Sequence, residues 1–330
     1  MRGLGRVKSI GRKWRNRLSP GALILLYHRV AELDSDPQQL QVSESNFAEH
    51  LRILKEIATP ISLQELTRSL RSGKVPSRSV VVTFDDGAAD NLLAAKPVLE
   101  REDVPATVFI ATGYMKSARE YWWDEVERLV LQTRELPSTL ALEVNGKVHA
   151  WDLNARGDEP AQRHQLYRSL IDVFYPLAPG ERFQQLDYLK NWAGDVTLSR
   201  DSHRPLTAAE VKQLADGGRI EIGAHTVSHS MLSALPASVQ RDEIQQSKAD
   251  LEEILGSPVR SFAYPFGTLS DYTRETVSLV KQLGFNCACS NFKDVVQPGA
   301  DLFQLPRLIV RDCKPEEFAN HVARWFRGDM

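Results

Sequence analysis

Seven short apolar segments, separated by stretches with helical features, constrain the fold of this chain more than any other property of its sequence. Apolar runs of this length, without polar alternation, are typical of parallel strands that are buried on both faces. Because strands that alternate with helices form parallel sheets, we predict an α/β fold, and seven strands suit a (β/α) barrel. The segments are Leu23–Tyr27, Val80–Phe84, Ala106–Ala111, Ile220–Ala224, Val259–Ala263, Asn286–Ser290 and Leu308–Arg311.

Helix signals lie between most of these segments. Thr207 is followed three residues later by Glu210, which is the pattern of a capping box, and the glycine pair 217–218 marks the end of that helix. Two further helices are predicted at about 237–255 and 270–283.

One segment, from about residue 120 to residue 204, interrupts this alternation. It opens with an acidic and aromatic helix, Tyr121–Glu125, and two helical stretches stand at its end. Between them lies a hairpin signature with a type I′ turn, formed by Leu140–Val144, Asn145-Gly146 and Lys147–Trp151. We interpret the segment as an insertion that caps one face of the barrel, within a single domain of residues 21–330.

The charge distribution separates the start of the chain from the rest. The 41 basic and 43 acidic residues give a net charge of −2, which disfavours a bulk nucleic-acid-binding protein. Residues 1–20 nevertheless contain seven basic residues and no acidic residue, since the first acidic residue is Glu32, so they form a basic tail. Apolar residues recur in it at helical spacing, and two interpretations stay open for residues 1–19. They are a disordered tail or an amphipathic helix in peripheral contact with an anionic membrane.

Targeting signals are absent from the sequence as we interpret it. The apolar run Ala22–Tyr27 is too short for a signal peptide or a transmembrane helix. The three cysteines do not provide a disulfide framework, which is compatible with a reducing compartment. We therefore expect a cytoplasmic protein, with the inner membrane face as a peripheral location.

Chemistry-bearing residues follow three of the predicted strands. Thr83–Gly87 places two carboxylates side by side, His225–His229 has histidines four apart, and Arg260–Gly267 ends in a Pro-Phe-Gly turn. Each motif alone also suits an ordinary turn, a helix cap or a pair of core histidines. Histidines four apart on a helical turn lie on one face, so with one aspartate they form a His₂Asp set that leaves metal positions open. The second aspartate is then available as a base.

Together these segments resemble the polysaccharide deacetylases of the NodB-homology type, also called carbohydrate esterase family four. The resemblance covers Leu23 to about Arg311, apart from the insertion, and implies a distorted seven-stranded (β/α) barrel. It also implies a divalent-metal site, most often Zn²⁺ with Co²⁺, Ni²⁺ or Fe²⁺ as alternatives. The roles that it implies are Asp86, His225 and His229 as metal ligands, Asp85 as general base, the backbone N–H of Tyr264 at the oxyanion, and Arg260 holding Asp85 ionised.

The chain departs from the family at the general acid. Family members commonly carry a late histidine on the last strand, and Leu305–Val310 contains none. Leu26-Tyr27-His28 on the first strand has the missing form, and the first and last strands of a closed barrel are neighbours. We therefore expect His28 to be the acid, with a structural core histidine as the alternative and His321 as the rival donor. Arg307 is expected to contact Asp85 or the substrate.

The expected reaction is removal of N-acetyl groups from amino sugars of a polysaccharide, an oligosaccharide or a glycolipid intermediate. Activated water attacks the acetyl carbonyl, with Asp85 as base and His28 as acid. Alternatives are a hydrolase for small non-sugar amides, an O-acetyl esterase, and a catalytically silent carbohydrate-binding protein. Expected contacts with the sugar, beside Arg307, are Pro265 and the pair Trp122 and Trp123, whose alternative place is the core of the insertion.

Overall fold

A computed structural model describes residues 21–117, 119–153, 159–196 and 199–329. The predicted basic tail, with its expected membrane contact, lies outside these residues. Among the helices of the described residues, none is both long enough and apolar enough to cross a bilayer.

Every segment predicted as a strand forms one, and the described residues contain further short strands. In chain order the strands are β1 (Ala22–Tyr27), β2 (Arg29–Val30), β3 (Gln41–Val42), β4 (Thr59–Pro60), β5 (Ser79–Phe84), β6 (Ala106–Ile110), β7 (Thr139–Val144), β8 (Lys147–Asp152), β9 (Ile220–Ala224), β10 (Ser261–Ala263), β11 (Cys287–Cys289) and β12 (Leu308–Ile309).

The seven predicted strands form one curled parallel sheet in the order β11-β10-β9-β6-β5-β1-β12, with the short strand β4 paired to β5. The first and last strands are neighbours, as expected, because Leu25 of β1 pairs with Leu308 of β12. Between β11 and β12 the curl is completed by residues 302–305. There the N–H of Ala288 donates to Leu302 (2.8 Å) and the N–H of Leu305 donates to Ala288 (2.9 Å). The predicted seven-stranded NodB-type (β/α) barrel is confirmed in this distorted form.

The α-helices outside residues 120–204 pack around the sheet, and three α-helices of the described residues lie within that segment. In chain order the α-helices are α1 (Glu44–Ile57), α2 (Leu63–Arg71), α3 (Lys96–Glu102), α4 (Trp122–Glu127), α5 (Glu159–Phe174), α6 (Pro179–Ala193), α7 (Ala208–Ala215), α8 (Ala237–Leu255), α9 (Arg274–Gln282) and α10 (Pro315–Phe326). Thr207 caps α7 through the predicted capping box with Glu210, because each side chain binds the backbone N–H of the other residue. Helix α8 has the predicted bounds, whereas α9 begins later than residue 270, after its cap at Thr273.

The segment predicted as an insertion has an apolar core of its own, apart from the apolar clusters of the barrel. Strand β1 is buried along its whole length between the inside of the barrel and the surrounding helices. A second core joins α4, α5 and α6 to the hairpin β7–β8, whose buried and exposed residues alternate along β7. Asn145 and Gly146 both have positive φ (51° and 74°), as the predicted type I′ turn requires.

The strand ends determine where the functional groups meet. His28, Asp85 and His225 each follow the last residue of a parallel strand, namely β1, β5 and β9. Because parallel strands present their carboxyl ends at one edge of a sheet, these side chains lie around the same mouth of the barrel.

Candidate metal centre and active site

The aspartate pair lies in a tight turn at the end of β5. Asp86 and Gly87 both adopt left-handed backbone conformations (φ 75° and 83°). The N–H of Gly87 donates to the backbone carbonyl of Asp85 (3.0 Å). The backbone carbonyl of Asp86 accepts hydrogen bonds from the N–H of Ala111 (3.2 Å) and from the Tyr121 hydroxyl. A Cβ at Gly87 would lie 3.1 Å from the side chain of Ile110, which is a tight contact, and the positive φ favours glycine there. The two carboxylates therefore leave the strand in different directions.

The histidine pair lies in a loop, so the predicted helical turn is wrong. Residues 225–230 contain no helix, and Thr226 and His229 have positive φ (66° and 51°). The loop is held by Glu243 of α8, which accepts the N–H groups of Val227 and Ser228 (both 2.9 Å). Positive φ is unusual for a β-branched residue such as Thr226, which indicates a backbone fixed by its surroundings.

The structure brings Asp86, His225 and His229 together, as the sequence predicts. Their ligand atoms lie within 4.8 Å of one another, and all three side chains are buried. Oδ1 of Asp86 lies 3.3 Å from Nε2 of His229 and 3.7 Å from Nε2 of His225. Among the described residues, Asp86 Oδ1 and His225 Nε2 have no hydrogen-bond partner. Buried polar atoms left in this way, facing one another, fit a metal ion held by one carboxylate and two imidazoles.

The electrostatics of the three groups agree with a cation site. Burial lowers the pKa of both histidines, so their rings are neutral and can act as ligands. Burial and the neighbouring Asp85 raise the pKa of Asp86 well above its usual range, a cost that a bound cation would offset. The Nδ1–H of His225 donates to the Ala263 carbonyl (2.7 Å), which orients Nε2 toward the carboxylates.

Asp85 is paired with Arg307, which corrects the expectation for Arg260. The two terminal nitrogens of Arg307 donate to the two oxygens of Asp85, each at 2.6 Å, and Arg307 is fully buried. Arg260 precedes β10 and its side chain is exposed, so it makes no such contact. Burial alone would raise the pKa of Asp85, but the charge of Arg307 outweighs burial and holds that pKa below its usual value. Of the two alternatives for Arg307, the structure shows the contact with Asp85.

The third motif contributes different groups from those expected. The N–H of Tyr264 donates to the Cys289 carbonyl (3.1 Å), so it is engaged in the sheet and does not face the site. Pro265 is buried, and the next residue, Phe266, lines the cavity beside His229. Phe266 has positive φ (60°), and its N–H makes no backbone hydrogen bond among the described residues. The predictions for Tyr264 and Pro265 are therefore wrong, and Phe266 is the residue of this motif that lines the cavity.

A cavity of about 220 Å³ opens at this mouth of the barrel. Its wall includes groups from several strand ends, among them His28, Asp85, Asp86, Trp123, His229 and Phe266. His28 therefore borders the same cavity as Asp85 and His229, and burial lowers its pKa to about 4. His321 lies on α10, where its side chain pairs with Glu317 and stacks on Trp325.

The tryptophan pair is divided between the core and the cavity. Trp122 is 1% exposed and packs in the core of the insertion, so the expected sugar contact of Trp122 is wrong. Trp123 lines the cavity, but its ring lies edge-on to His229 with centroids 4.7 Å apart. Trp123 therefore packs against His229 at the wall of the cavity.

Sequence reasoning missed Glu243 and Phe266. Glu243 lies within the long helix α8, where a glutamate is expected on the surface, and no local pattern marks it as buried. Phe266 belongs to the motif itself, and the Pro-Phe-Gly turn was a signal that backbone N–H groups could be freed there.

Comparisons with known proteins agree with this architecture. The sequence model of a family described as polysaccharide deacetylase matches residues 72–137 and 188–288. Poly-β-1,6-N-acetyl-D-glucosamine N-deacetylase of Staphylococcus aureus is 21% identical, over 92% of this chain and 82% of that protein. Among solved structures, the deacetylase PplD of Streptococcus pyogenes, in complex with acetate, has a TM-score of 0.58 and 18% identity, over 91% of this chain and 97% of that one. IcaB from Ammonifex degensii has a TM-score of 0.57 and 19% identity, with 93% and 97% covered. These structures share the fold of this chain.

Proposed function

Because the chain belongs to the polysaccharide deacetylase family, we propose that it is a metal-dependent hydrolase that removes N-acetyl groups from amino sugars. The observation that carries this proposal is the convergence of Asp86, His225 and His229 beside Asp85 in one cavity. The substrate is a polysaccharide, an oligosaccharide or a glycolipid intermediate. Family membership supports carbohydrate deacetylation, and the geometry of these four groups supports hydrolysis by an activated water molecule.

Asp86, His225 and His229 would hold the metal. When bound, a divalent metal supplies Lewis acidity, which polarises an acyl carbonyl and makes a water molecule acidic enough to lose its proton near neutral pH. The neutral rings of the two histidines and the single carboxylate make a donor set that suits zinc. Zn²⁺ is therefore the ion that we assign, and Co²⁺, Ni²⁺ or Fe²⁺ suit the same ligands less specifically.

Asp85 is proposed as the general base. Its Oδ2 lies 3.7 Å from Nε2 of His225, so it borders the metal centre without being one of the converging ligand atoms. The bidentate pair with Arg307 fixes the carboxylate plane and keeps it ionised. An ionised carboxylate held in this position can accept a proton from water at every turnover.

His28 is proposed as the general acid. It lines the cavity with Asp85 and His229, and it reaches the cavity from the end of β1. Because burial lowers its pKa to about 4, the ring is mainly neutral at pH 7. Negative charge that develops on the tetrahedral intermediate favours transfer of the proton that Asp85 took from water to the His28 ring, which then gives it to the leaving amine.

The oxyanion donor that we propose is the backbone N–H of Phe266. Its carbonyl is held by the side-chain amide of Asn291 (3.0 Å), which fixes the orientation of the loop. A preorganised N–H at the cavity wall stabilises the negative charge of the transition state without any reorganisation.

Poly-β-1,6-N-acetyl-D-glucosamine is the first substrate to test, because relatives that cover 92% of this chain are named as its N-deacetylases. Zinc-loaded protein is incubated with β-1,6-linked N-acetylglucosamine oligosaccharides, and mass spectrometry follows replacement of acetyl groups by hydrogen. O-acetylated sugars and small non-sugar amides, assayed in parallel, test the alternative hydrolases.

The control variant is Asp85→Asn, which keeps all three metal ligands. We expect its rate to fall by a factor of about 10²–10⁴, because a positioned base is lost. Acetate release by Asp85→Asn at the wild-type rate would refute the mechanism. A wild-type protein that binds zinc and carbohydrate but releases no acyl group would support the silent binding protein instead.

A further inference from the structure

Residues 138–187, which we call the inserted segment, lie between the two stretches that match the family. They comprise the hairpin β7–β8, helix α5 and the first part of α6, and they build the core that the hairpin shares with α4. Two residues near the junction of α5 and α6 are linked to the metal centre through aromatic rings. Both series of contacts end on the ring of His229.

The first series of contacts runs through Tyr175, the residue that follows α5. Its ring packs on Phe266 with centroids 4.1 Å apart, and Phe266 in turn lies edge-on to His229 at 4.7 Å. The Tyr175 hydroxyl donates to Oδ1 of Asp271 (2.8 Å), whose other oxygen accepts the N–H of Thr268 (2.8 Å). Tyr175 is therefore bound to both sides of the loop that carries Phe266.

The second series of contacts runs through Arg182 in the first turn of α6. Arg182 is 2% exposed and donates to carbonyls at the end of α5, namely those of Phe174 (3.1 Å) and Leu177 (2.8 Å). Its guanidinium lies 5.0 Å from the ring of Trp122. Trp122 packs edge-on against Trp123, whose ring meets His229 at 4.7 Å.

His229 needs this support because no other residue in the described part of the chain anchors its ring by a hydrogen bond. A metal-binding histidine generally donates its second ring N–H to a carbonyl or a carboxylate, which fixes the ring orientation. His225 does so through Ala263 (2.7 Å). Nδ1 of His229 is buried and makes no hydrogen bond to another described residue. The orientation of this ring therefore depends on the aromatic rings packed around it, Trp123 and Phe266.

We propose that Tyr175 and Arg182 are positioning residues for His229, and that the inserted segment is thereby part of the metal-binding apparatus. The inference rests on the proposed function only in its assignment of His229 as a metal ligand. Aromatic packing backed by the inserted segment takes the place of the hydrogen bond that orients His225. Loss of that packing lets the His229 ring rotate away from the position in which Nε2 faces Asp86.

The experiment measures metal binding directly. Zn²⁺ affinity is obtained by competition with a chromophoric chelator, and the absorption spectrum of the Co²⁺-loaded protein reports the ligand geometry. We expect Tyr175→Ala to weaken Zn²⁺ binding about 10-fold, the lower end for residues that orient a ligand, and to change the Co²⁺ spectrum. Tyr175→Phe keeps the ring on Phe266 and should restore most of the affinity. Arg182→Met should weaken binding in the same direction.

The matched control is Leu170→Ala, which removes a fully buried side chain from the same core, on the helix that precedes Tyr175. It should lower the thermal unfolding temperature and leave Zn²⁺ affinity unchanged. If Tyr175→Ala does not fold, Tyr175→Leu, which keeps most of the volume, takes its place. Unchanged Zn²⁺ affinity and Co²⁺ spectrum in the folded Tyr175 variant would overturn the proposal, and so would equal weakening by Leu170→Ala. Because these readouts do not involve acetyl release, absence of deacetylation with altered metal binding would refute the proposed function alone.

Discussion

Replacement of Arg307 by methionine tests which arginine holds the Asp85 carboxylate. Arg307 is fully buried and donates to both oxygens of Asp85 at 2.6 Å, while its Nε donates to the Ser290 carbonyl at 2.9 Å. Arg307→Met leaves the Asp85 carboxylate buried without a counter-charge. Removal of one partner from a buried ion pair costs about 3–5 kcal/mol, so we expect a loss of about 4 kcal/mol in the free energy of unfolding at pH 7.

The loss should depend on pH in a definite direction. In the wild type the pKa of Asp85 is lowered, so this group stabilises the fold above about pH 4, the unfolded-state value, and the contribution disappears as the pH falls further. In Arg307→Met burial acts without opposition and raises that pKa. The folded variant then binds a proton that the unfolded chain releases, so its stability falls as the pH rises above about 4. The difference between the two proteins should therefore grow from pH 4 to pH 7.

Urea unfolding of chelator-treated protein, followed by tryptophan fluorescence from pH 4 to pH 8, measures this difference. Arg260→Met is the matched control: this arginine is exposed, and we expect a change within about 0.5 kcal/mol. The double variant Arg307→Met with Asp85→Asn should recover part of the loss, because no charge is left buried. An equal loss in Arg260→Met, or a loss in Arg307→Met that is the same at every pH, would refute the assignment.

Three further predictions concern other groups. His28→Ala should lower kcat by a factor of about 10²–10⁴ with metal content retained, while His321→Ala leaves kcat unchanged; the opposite result would transfer the acid role to His321. Glu243→Gln should weaken Zn²⁺ binding about 10-fold, because Glu243 holds the backbone between the two histidine ligands. A chelator-competition assay that gives the wild-type affinity would contradict this. Burial lowers the pKa of His50 to about 4, so the free energy of unfolding should fall as the pH drops from about 6.5 to 4, since only the unfolded chain gains the proton readily. His50→Gln should show a shallower slope over that range in urea unfolding, and an unchanged slope would count against this origin.

The local features of this fold could be predicted because each depends on neighbouring residues. A buried parallel strand needs a short apolar run, and a type I′ turn needs residues that tolerate positive φ, as Asn145 and Gly146 do. The capping box at Thr207 is likewise complete within four residues. The convergence of Asp86, His225 and His229 was predictable from the strand order, since their motifs follow parallel strands, which end at one edge of the sheet.

Contacts between distant parts of the chain could be predicted only in part, since Arg307 was expected to contact either Asp85 or the substrate. Arg260 lies inside a motif, which made it the obvious partner of Asp85 in the sequence. Arg307 is 222 residues from Asp85, and only the pairing of β12 with β1 brings it to the carboxylate. Trp122 and Trp123 are adjacent and identical in type, yet one packs in a core and the other lines the cavity, a distinction set by the helix face that each occupies.

Backbone strain explains why these distant contacts are needed. Asp86, Thr226, His229 and Phe266 all have positive φ, and all four lie at the metal centre or beside it. Such conformations cost of order 1–3 kcal/mol each and persist only where the surrounding structure fixes them.

The groups that fix them belong to other segments. Tyr121 and the N–H of Ala111 bind the Asp86 carbonyl, the N–H of Thr112 binds the Thr226 carbonyl (3.1 Å), and Asn291 binds Phe266. Each donor lies next to one strand or helix, and the residue that it binds lies next to another. The motifs supply the side chains of the site. The strained backbone that positions these side chains is held by hydrogen bonds from residues outside the motifs. We therefore expect the proposed activity to depend on the contacts of Tyr121, Thr112 and Asn291 as well as on the four residues that the motifs supply.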